Sequence, residues 1–168
     1  LKGLLDIDPD DPTEDKKLSF FIEQASDWIE QYLNRRLGYE IRTEYYKGTG
    51  TQKLLLRSRP VYTTPTIQVY VDRGGDFGAT SGAFDAGTTA LTYGNGFCLQ
   101  VDQPDGTSRC GVLFRINDYW PKPSVRQAGL LTPFISDDLG SIKIVYAAGY
   151  LVDNLPVQLR LACNTLVA

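Results

Sequence analysis

The 168-residue sequence predicts an α+β fold: a long N-terminal helix, a mostly antiparallel β-sheet with hairpins and a Gly-rich insertion, and a C-terminal helix. Three patterns carry that reading. Apolar residues recur at three-and-four spacing early in the chain, β-branched and aromatic residues bounded by glycines dominate the middle, and helical spacing returns after a proline near the end. Strands grouped between helices, rather than alternating with them, argue for antiparallel pairing. The 42% hydrophobic content is enough for a real core, and the length fits one domain, 1–168, with a β/loop insertion at about 74–140.

The first helix is expected over residues 11–37. Asp11-Pro12-Thr13-Glu14 reads as an N-cap, a proline at the first helical position and a capping-box acid. Leu18, Phe21, Ile22, Ala25, Trp28, Ile29, Tyr32 and Leu33 then form one stripe, with Lys17, Glu23, Asp27 and Glu30 off it. Glu14 and Asp15 at the start and Arg35 and Arg36 at the end suit the helix dipole, and Gly38 is the stop signal. Such a helix would be about 40 Å long, a structural spine.

Residues 43–47 and 52–57 flank Gly48-Thr49-Gly50-Thr51 and are expected to pair as a hairpin. Residues 58–65 hold two prolines and read as an extended connector, after which Ile67, Val69 and Val71 alternate with Gln68, Tyr70 and Asp72 as a half-buried strand. Residues 74–96 contain seven glycines in 23 positions and read as a long loop. Residues 97–102 and 111–116 bracket Pro104-Asp105-Gly106 as a second hairpin, and residues 141–147 form a further strand. Asn154-Leu155-Pro156 opens the second helix, with Leu159, Ala162, Cys163 and Leu166 on one face.

Composition removes whole classes of chemistry. With no His, every Ser-His-Asp or Cys-His nucleophile scheme is excluded, together with the commonest acid/base near neutral pH. Twenty acids against 17 bases give a formal charge of -3, and residues 1–36 concentrate the asymmetry with nine acids and five bases. No Lys/Arg cluster supplies the footprint that phosphate neutralisation needs, so DNA is expected to pass without specific binding. The longest apolar run, residues 144–152, is far below a membrane span, and no signal peptide is recognisable, so a soluble, intracellular protein without membrane association is expected. Three cysteines, Cys98, Cys110 and Cys163, without a C-x-x-C argue against a zinc knuckle or a disulfide framework; reduced thiols are favoured over a Cys98 to Cys110 bridge. A translated chain begins with Met, so at least one residue is expected before Leu1, and the helical pattern still running at Ala168 leaves continuation beyond it open.

No motif reaches a catalytic, cofactor or metal signature. Asp6-Ile7-Asp8-Pro9-Asp10 opens like a calcium loop, but Asp11 stands where glycine must turn and Lys17 where a bidentate carboxylate is required. Gly48-Thr49-Gly50 lacks the third glycine and the distal acid of a dinucleotide site, and Asp76-Phe77-Gly78 has none of the other kinase elements. Asp118-Tyr119-Trp120 could offer a sugar-stacking platform, against the commoner reading of such clusters as core or interface. Leu54-Leu55-Leu56 breaks strict alternation, which fits either a well-buried sheet or subunit contact surface.

Several strings in order resemble the head-tail connector (adaptor, or head completion) proteins of long-tailed double-stranded DNA phages. They are Leu1-Lys2-Gly3-Leu4-Leu5-Asp6-Ile7-Asp8, the helix stretch Ile22-Glu23-Gln24-Ala25-Ser26-Asp27-Trp28-Ile29-Glu30-Gln31-Tyr32-Leu33-Asn34-Arg35-Arg36, and Thr43-Glu44-Tyr45-Tyr46-Lys47-Gly48. The order continues through Leu54-Leu55-Leu56-Arg57-Ser58-Arg59-Pro60-Val61, the strand at 67–72, Ala148-Gly149-Tyr150, Leu155-Pro156 and Leu159-Arg160-Leu161-Ala162. The match covers 1–73 and 142–168, whereas 74–140 departs from it by its length, glycines and strands.

The resemblance implies a structural protein of the virion neck, made in the host cytoplasm, with no enzymatic activity and no cofactor. It implies a homo-oligomeric ring of about twelve copies, a closed heterologous assembly under the portal that extends the DNA channel and docks a stopper or tail completion protein. Leu155, Leu159, Arg160, Cys163 and Leu166 are the expected contacts with the portal protein. Leu54, Leu55, Leu56, Tyr45 and Tyr46 are the expected subunit contacts, and Asp8, Asp10 and Asp11 the channel-facing acids. The alternative reading is a carbohydrate- or receptor-binding β module of a virion, centred on Trp120.

Overall fold

The computed structural model describes residues 2, 12–72, 84, 90–121 and 141–167. Its class is the α+β class expected: an N-terminal helix, mostly antiparallel strands and a C-terminal helix. The chain divides into two compact units, one of Leu1–Gly38 with Tyr150–Ala168 and one of Tyr39–Gly149.

In the first unit, α1 (Asp15–Leu33) packs against α2 (Val157–Val167), which a short 3₁₀ turn at Val152–Asn154 precedes. Both predicted boundaries of α1 move inward. At the front, Pro12–Asp15 makes a turn in which the Asp15 N–H donates to the Pro12 carbonyl, and the Glu14 side chain pairs with Lys17 Nζ at 3.0 Å instead of capping. Asp11, the predicted N-cap, lies outside the described residues. At the back, Asn34 adopts the left-handed conformation (φ 48°) and its N–H donates to the Gln31 carbonyl. The Arg35 N–H returns to the Glu30 carbonyl, and Glu30 Oε1 accepts the Leu37 N–H at 2.7 Å. Asn tolerates the left-handed region, so the helix stops there, ahead of Gly38. Gly38 serves instead in an isolated parallel bridge to Tyr150. With 19 residues α1 is about 28 Å long.

The second unit carries two sheets. The larger contains β1 (Glu40–Tyr46), β3 (Val61–Tyr62), β4 (Gln68–Val71), β5 (Ala90–Leu91), β7 (Thr107–Ser108) and β9 (Ile142–Ala148). β9 is its centre. It runs antiparallel to β1 over seven pairs, from Glu40↔Ala148 to Tyr46↔Ile142. Its other edge takes β4, from Gln68↔Val145 to Val71↔Ile142, and β3 at Val61↔Ala148. The smaller sheet has the order β2 (Lys53–Leu55), β8 (Val112–Arg115), β6 (Phe97–Leu99).

The predicted hairpin between 43–47 and 52–57 does not form, because its two arms enter different sheets: β1 pairs with β9, and β2 with β8. The intervening loop packs on another backbone rather than turning back. The Gly50 N–H donates to the Pro121 carbonyl and the Trp120 N–H to the Thr51 carbonyl. A Cβ at Gly48 would fall 1.8 Å from the Pro121 carbonyl oxygen, so glycine is required there for close approach. The second predicted hairpin is present as β6 against β8, with Cys98 opposite Phe114. Within its connection, Asp102 accepts the N–H groups of Arg109 and Cys110, and Asp105 accepts the Thr107 N–H and hydroxyl. Of the predicted loop at 74–96, Ala90 and Leu91 form β5 beside β4.

Both sheets feed one core. Leu54, Leu56, Phe97, Leu99 and Leu113 come from the smaller sheet and its flanks; Val61, Val69, Val71, Ile142, Ile144 and Tyr146 come from the larger. Trp120 closes the cluster. The three cysteines are free thiols, and Cys110 Sγ lies 3.3 Å from Ser108 Oγ rather than near a partner sulfur.

Candidate functional site

The predicted subunit-contact strand separates into core and surface. Leu54 is 3% and Leu56 0% exposed, whereas Leu55 is 55% exposed, so β2 does alternate and only its middle leucine is available to a partner. The same division falls between Tyr46, buried, and Tyr45, 49% exposed, whose ring stands edge-on to Phe84 with centroids 5.7 Å apart. Burial accounts for Leu54 and Leu56 and leaves Leu55 as the apolar residue on the exposed face.

Among the expected portal contacts, Leu166 and Arg160 are exposed on α2, and Leu155, Leu159 and Cys163 are half-buried. Cys163 Sγ lies 4.0 Å from Ser26 Oγ of α1, which makes it part of the seam between the two helices. Asp8, Asp10 and Asp11 lie outside the described residues. Trp120 is only 1% exposed, which removes it as a stacking platform; Tyr119 is exposed, and Asp118 pairs with Arg115 Nη2 at 3.1 Å.

The apolar stripe expected on α1 is present, and most of it is uncovered. Only Ala25 and Ile29 are buried. Phe20, Phe21, Ile22 and Leu33 are exposed, with Trp28 at 57% and Tyr32 at 78%, their rings stacked at 12° and 5.9 Å. Val157, Leu161 and Leu166 of α2 are exposed as well. Among the described residues, then, α1 and α2 pack on each other and leave these large apolar side chains uncovered.

Among the described residues a carboxylate and three hydroxyls form a dense polar cluster that no local sequence pattern indicates. Glu44 Oε2 accepts from the Tyr46 hydroxyl and from the Tyr146 hydroxyl at 2.7 Å, and Glu44 Oε1 accepts from Ser58 Oγ at 2.8 Å. Each hydroxyl in turn accepts an N–H: Tyr46 from Arg57 N at 2.9 Å, Tyr146 from Ser58 N at 3.2 Å, Ser58 from Arg42 Nη1 at 2.7 Å. Burial first, then the hydrogen bond to Glu44, holds the Tyr46 hydroxyl well above the usual phenol range. Burial also pushes Tyr146 up to about 12, with Glu44 adding to the shift and Tyr46 opposing it. Both phenols therefore stay protonated as donors near neutral pH. Each hydroxyl donates to Glu44 and accepts an N–H, so the cluster fastens the backbone at Arg57 and Ser58 to β1 and β9. The Glu44/Tyr46 spacing was visible in the sequence, but Tyr146 lies 100 residues further along and only the β1/β9 register brings it in.

Among the described residues no group of three or more His, Cys, Asp or Glu is gathered in metal-binding geometry, and no helix is long and apolar enough to cross a membrane. No family model, curated protein or solved structure matches the chain.

Proposed function

We propose that this chain is a structural, non-enzymatic component of a tailed double-stranded DNA virion: a head-tail adaptor that joins a ring beneath the portal, extends the DNA channel and docks the next neck or tail component. The observation that carries the reading is the uncovered apolar surface of the helical unit, from Phe20 and Phe21 through Trp28 and Tyr32 on α1 to Leu161 and Leu166 on α2. A part whose work is contact needs such surface, and a head-to-tail ring needs it on two sides of each subunit. Sequence resemblance supplies the particular assembly. In this reading α2 meets the portal protein through Leu155, Leu159, Arg160, Cys163 and Leu166, Leu55 and Tyr45 lie against the neighbouring subunit, and Asp8, Asp10 and Asp11 face the passing DNA.

Electron microscopy of tailed particles carrying a tagged copy of the chain tests it. The expected result is a ring of tag density at the portal-tail junction; density at the tail tip or on the capsid surface would sink the proposal. A second arm mixes the purified protein with portal rings. Phe21→Ser/Trp28→Ser and Arg160→Glu/Leu166→Ser variants are expected to lose co-sedimentation with the portal or with neighbouring copies while keeping the wild-type circular dichroism spectrum.

A further inference from the structure

Two dipeptides in the chain join a side-chain carbonyl to a following glycine, Asn95-Gly96 and Asp105-Gly106. Glycine has no Cβ to screen its backbone nitrogen, so that nitrogen can reach the preceding side-chain carbonyl, and asparagine is correspondingly thermolabile. The fold treats the two pairs differently. Asp105 Oδ1 accepts the Thr107 N–H at 3.0 Å and the Thr107 hydroxyl at 2.7 Å, and the Gly106 N–H donates to the Gln103 carbonyl at 3.2 Å. Electrophile and nucleophile are both held there. Asn95 is exposed, and among the described residues its carboxamide has no hydrogen-bond partner. Only the nucleophile is restrained at this pair. The Thr92 carbonyl accepts the Gly96 N–H at 2.7 Å, but it also takes the Asn95 and Phe97 N–H groups at 3.3 and 3.4 Å, so two lone pairs serve three donors. These bonds lie in a short turn with an exposed tip, where local opening costs little. Glycine is favoured in the turn by space: a Cβ at Gly96 would meet Leu91 Cβ and the Thr92 backbone at 3.2 Å.

Independently of the adaptor reading, we propose that Asn95 is a site of spontaneous deamidation in the folded protein, whereas Asp105 is held unreactive by its turn. The Gly96 nitrogen attacks Asn95 Cγ and a C–N bond forms. The bond from Cγ to the side-chain nitrogen breaks, and that nitrogen leaves as ammonia with the proton from Gly96. Water then opens the cyclic imide at either carbonyl, giving aspartate or isoaspartate. Both products add a negative charge to the turn. Isoaspartate also carries the main chain through the side chain, which inserts a methylene ahead of Gly96. The Gly96 carbonyl accepts Arg115 Nη1 at 2.6 Å and the Ile116 N–H at 3.2 Å, and Arg115 is buried. Displacing that carbonyl leaves a buried guanidinium short of a partner, so isoaspartate at 95 loosens the end of the smaller sheet.

Native and urea-unfolded samples of the full chain, incubated side by side near neutral pH, test this by peptide mapping with isoaspartyl methylation. In the native chain isoaspartate is expected at position 95, at a rate within about tenfold of the unfolded chain's, since one ordinary hydrogen bond restrains it. At position 105 it is expected only in the unfolded chain. Asn95→Gln, which lengthens the ring that must close, is expected to remain unmodified. The isoaspartate form, separated by ion exchange, is expected to melt below both the unmodified protein and Asn95→Asp, which adds the same charge without the extra methylene. A native chain that stays intact at 95 while the unfolded chain reacts, or one in which position 105 reacts as fast folded as unfolded, overturns the proposal. An isoaspartate form that melts together with Asn95→Asp overturns the consequence assigned to Arg115.

Discussion

At the scale of single residues, the determinants are the positions where a polar group or a volume has no substitute. Glu44 takes three hydroxyl donors, and Tyr146→Phe would leave both its carboxylate and the Ser58 N–H short of a partner. That change is expected to destabilise the fold by about 1–3 kcal/mol in urea unfolding, the cost of an unsatisfied buried group. Leu56→Ala, at a fully buried site, is expected to cost about 2–5 kcal/mol, and Leu55→Ala on the same strand less than about 0.5 kcal/mol. Equal losses from the two leucines would contradict the alternation of β2. Asp102 titrates below the ordinary Asp range, chiefly because the Arg109 N–H donates to its carboxylate, and Asp105 does so because Thr107 donates to it. A carboxyl depressed in the folded state stabilises the fold above its unfolded value and loses that contribution as pH falls through the lower folded value. The acid limb of the stability curve is therefore expected below about pH 4 and to flatten in Asp102→Asn, as thermal unfolding at stepped pH would record.

At the scale of elements, periodicity was a good guide to type and a poor guide to burial. The stripe on α1 has helical spacing and lies on a helix, but spacing says only that the residues share a face, not that anything covers it. Trp28→Ser and Tyr32→Ser are expected to change unfolding stability by less than about 0.5 kcal/mol each, since both side chains are largely exposed; a large loss would place them in a core. Helix α1 ends before Gly38 for a local reason: Asn34, four residues earlier, takes the left-handed conformation. The hairpin expected at 43–57 is absent for a non-local one. Gly48 and Gly50 look like turn glycines, yet their use is approach to Pro121, some seventy residues away, a distance in sequence that no local pattern reports. Where the turn chemistry was complete in itself, as with Pro104-Asp105-Gly106 and the capping aspartates around it, the β6/β8 hairpin followed.

At the scale of the whole molecule, the proposed assembly role rests on contact through the helical unit. The sequence by itself determined the α+β class, the identity of both helices, the strands at β4 and β9, and the absence of histidine chemistry, since these follow from local propensity, composition and period. Tertiary structure decided which apolar residues are core and which are surface, that β1 and β2 belong to different sheets, and that Glu44 meets Tyr146 and Ser58. The physical reason is that burial and strand partnership depend on contacts between residues far apart in the chain, and a local pattern constrains which face a side chain takes but not what lies opposite it.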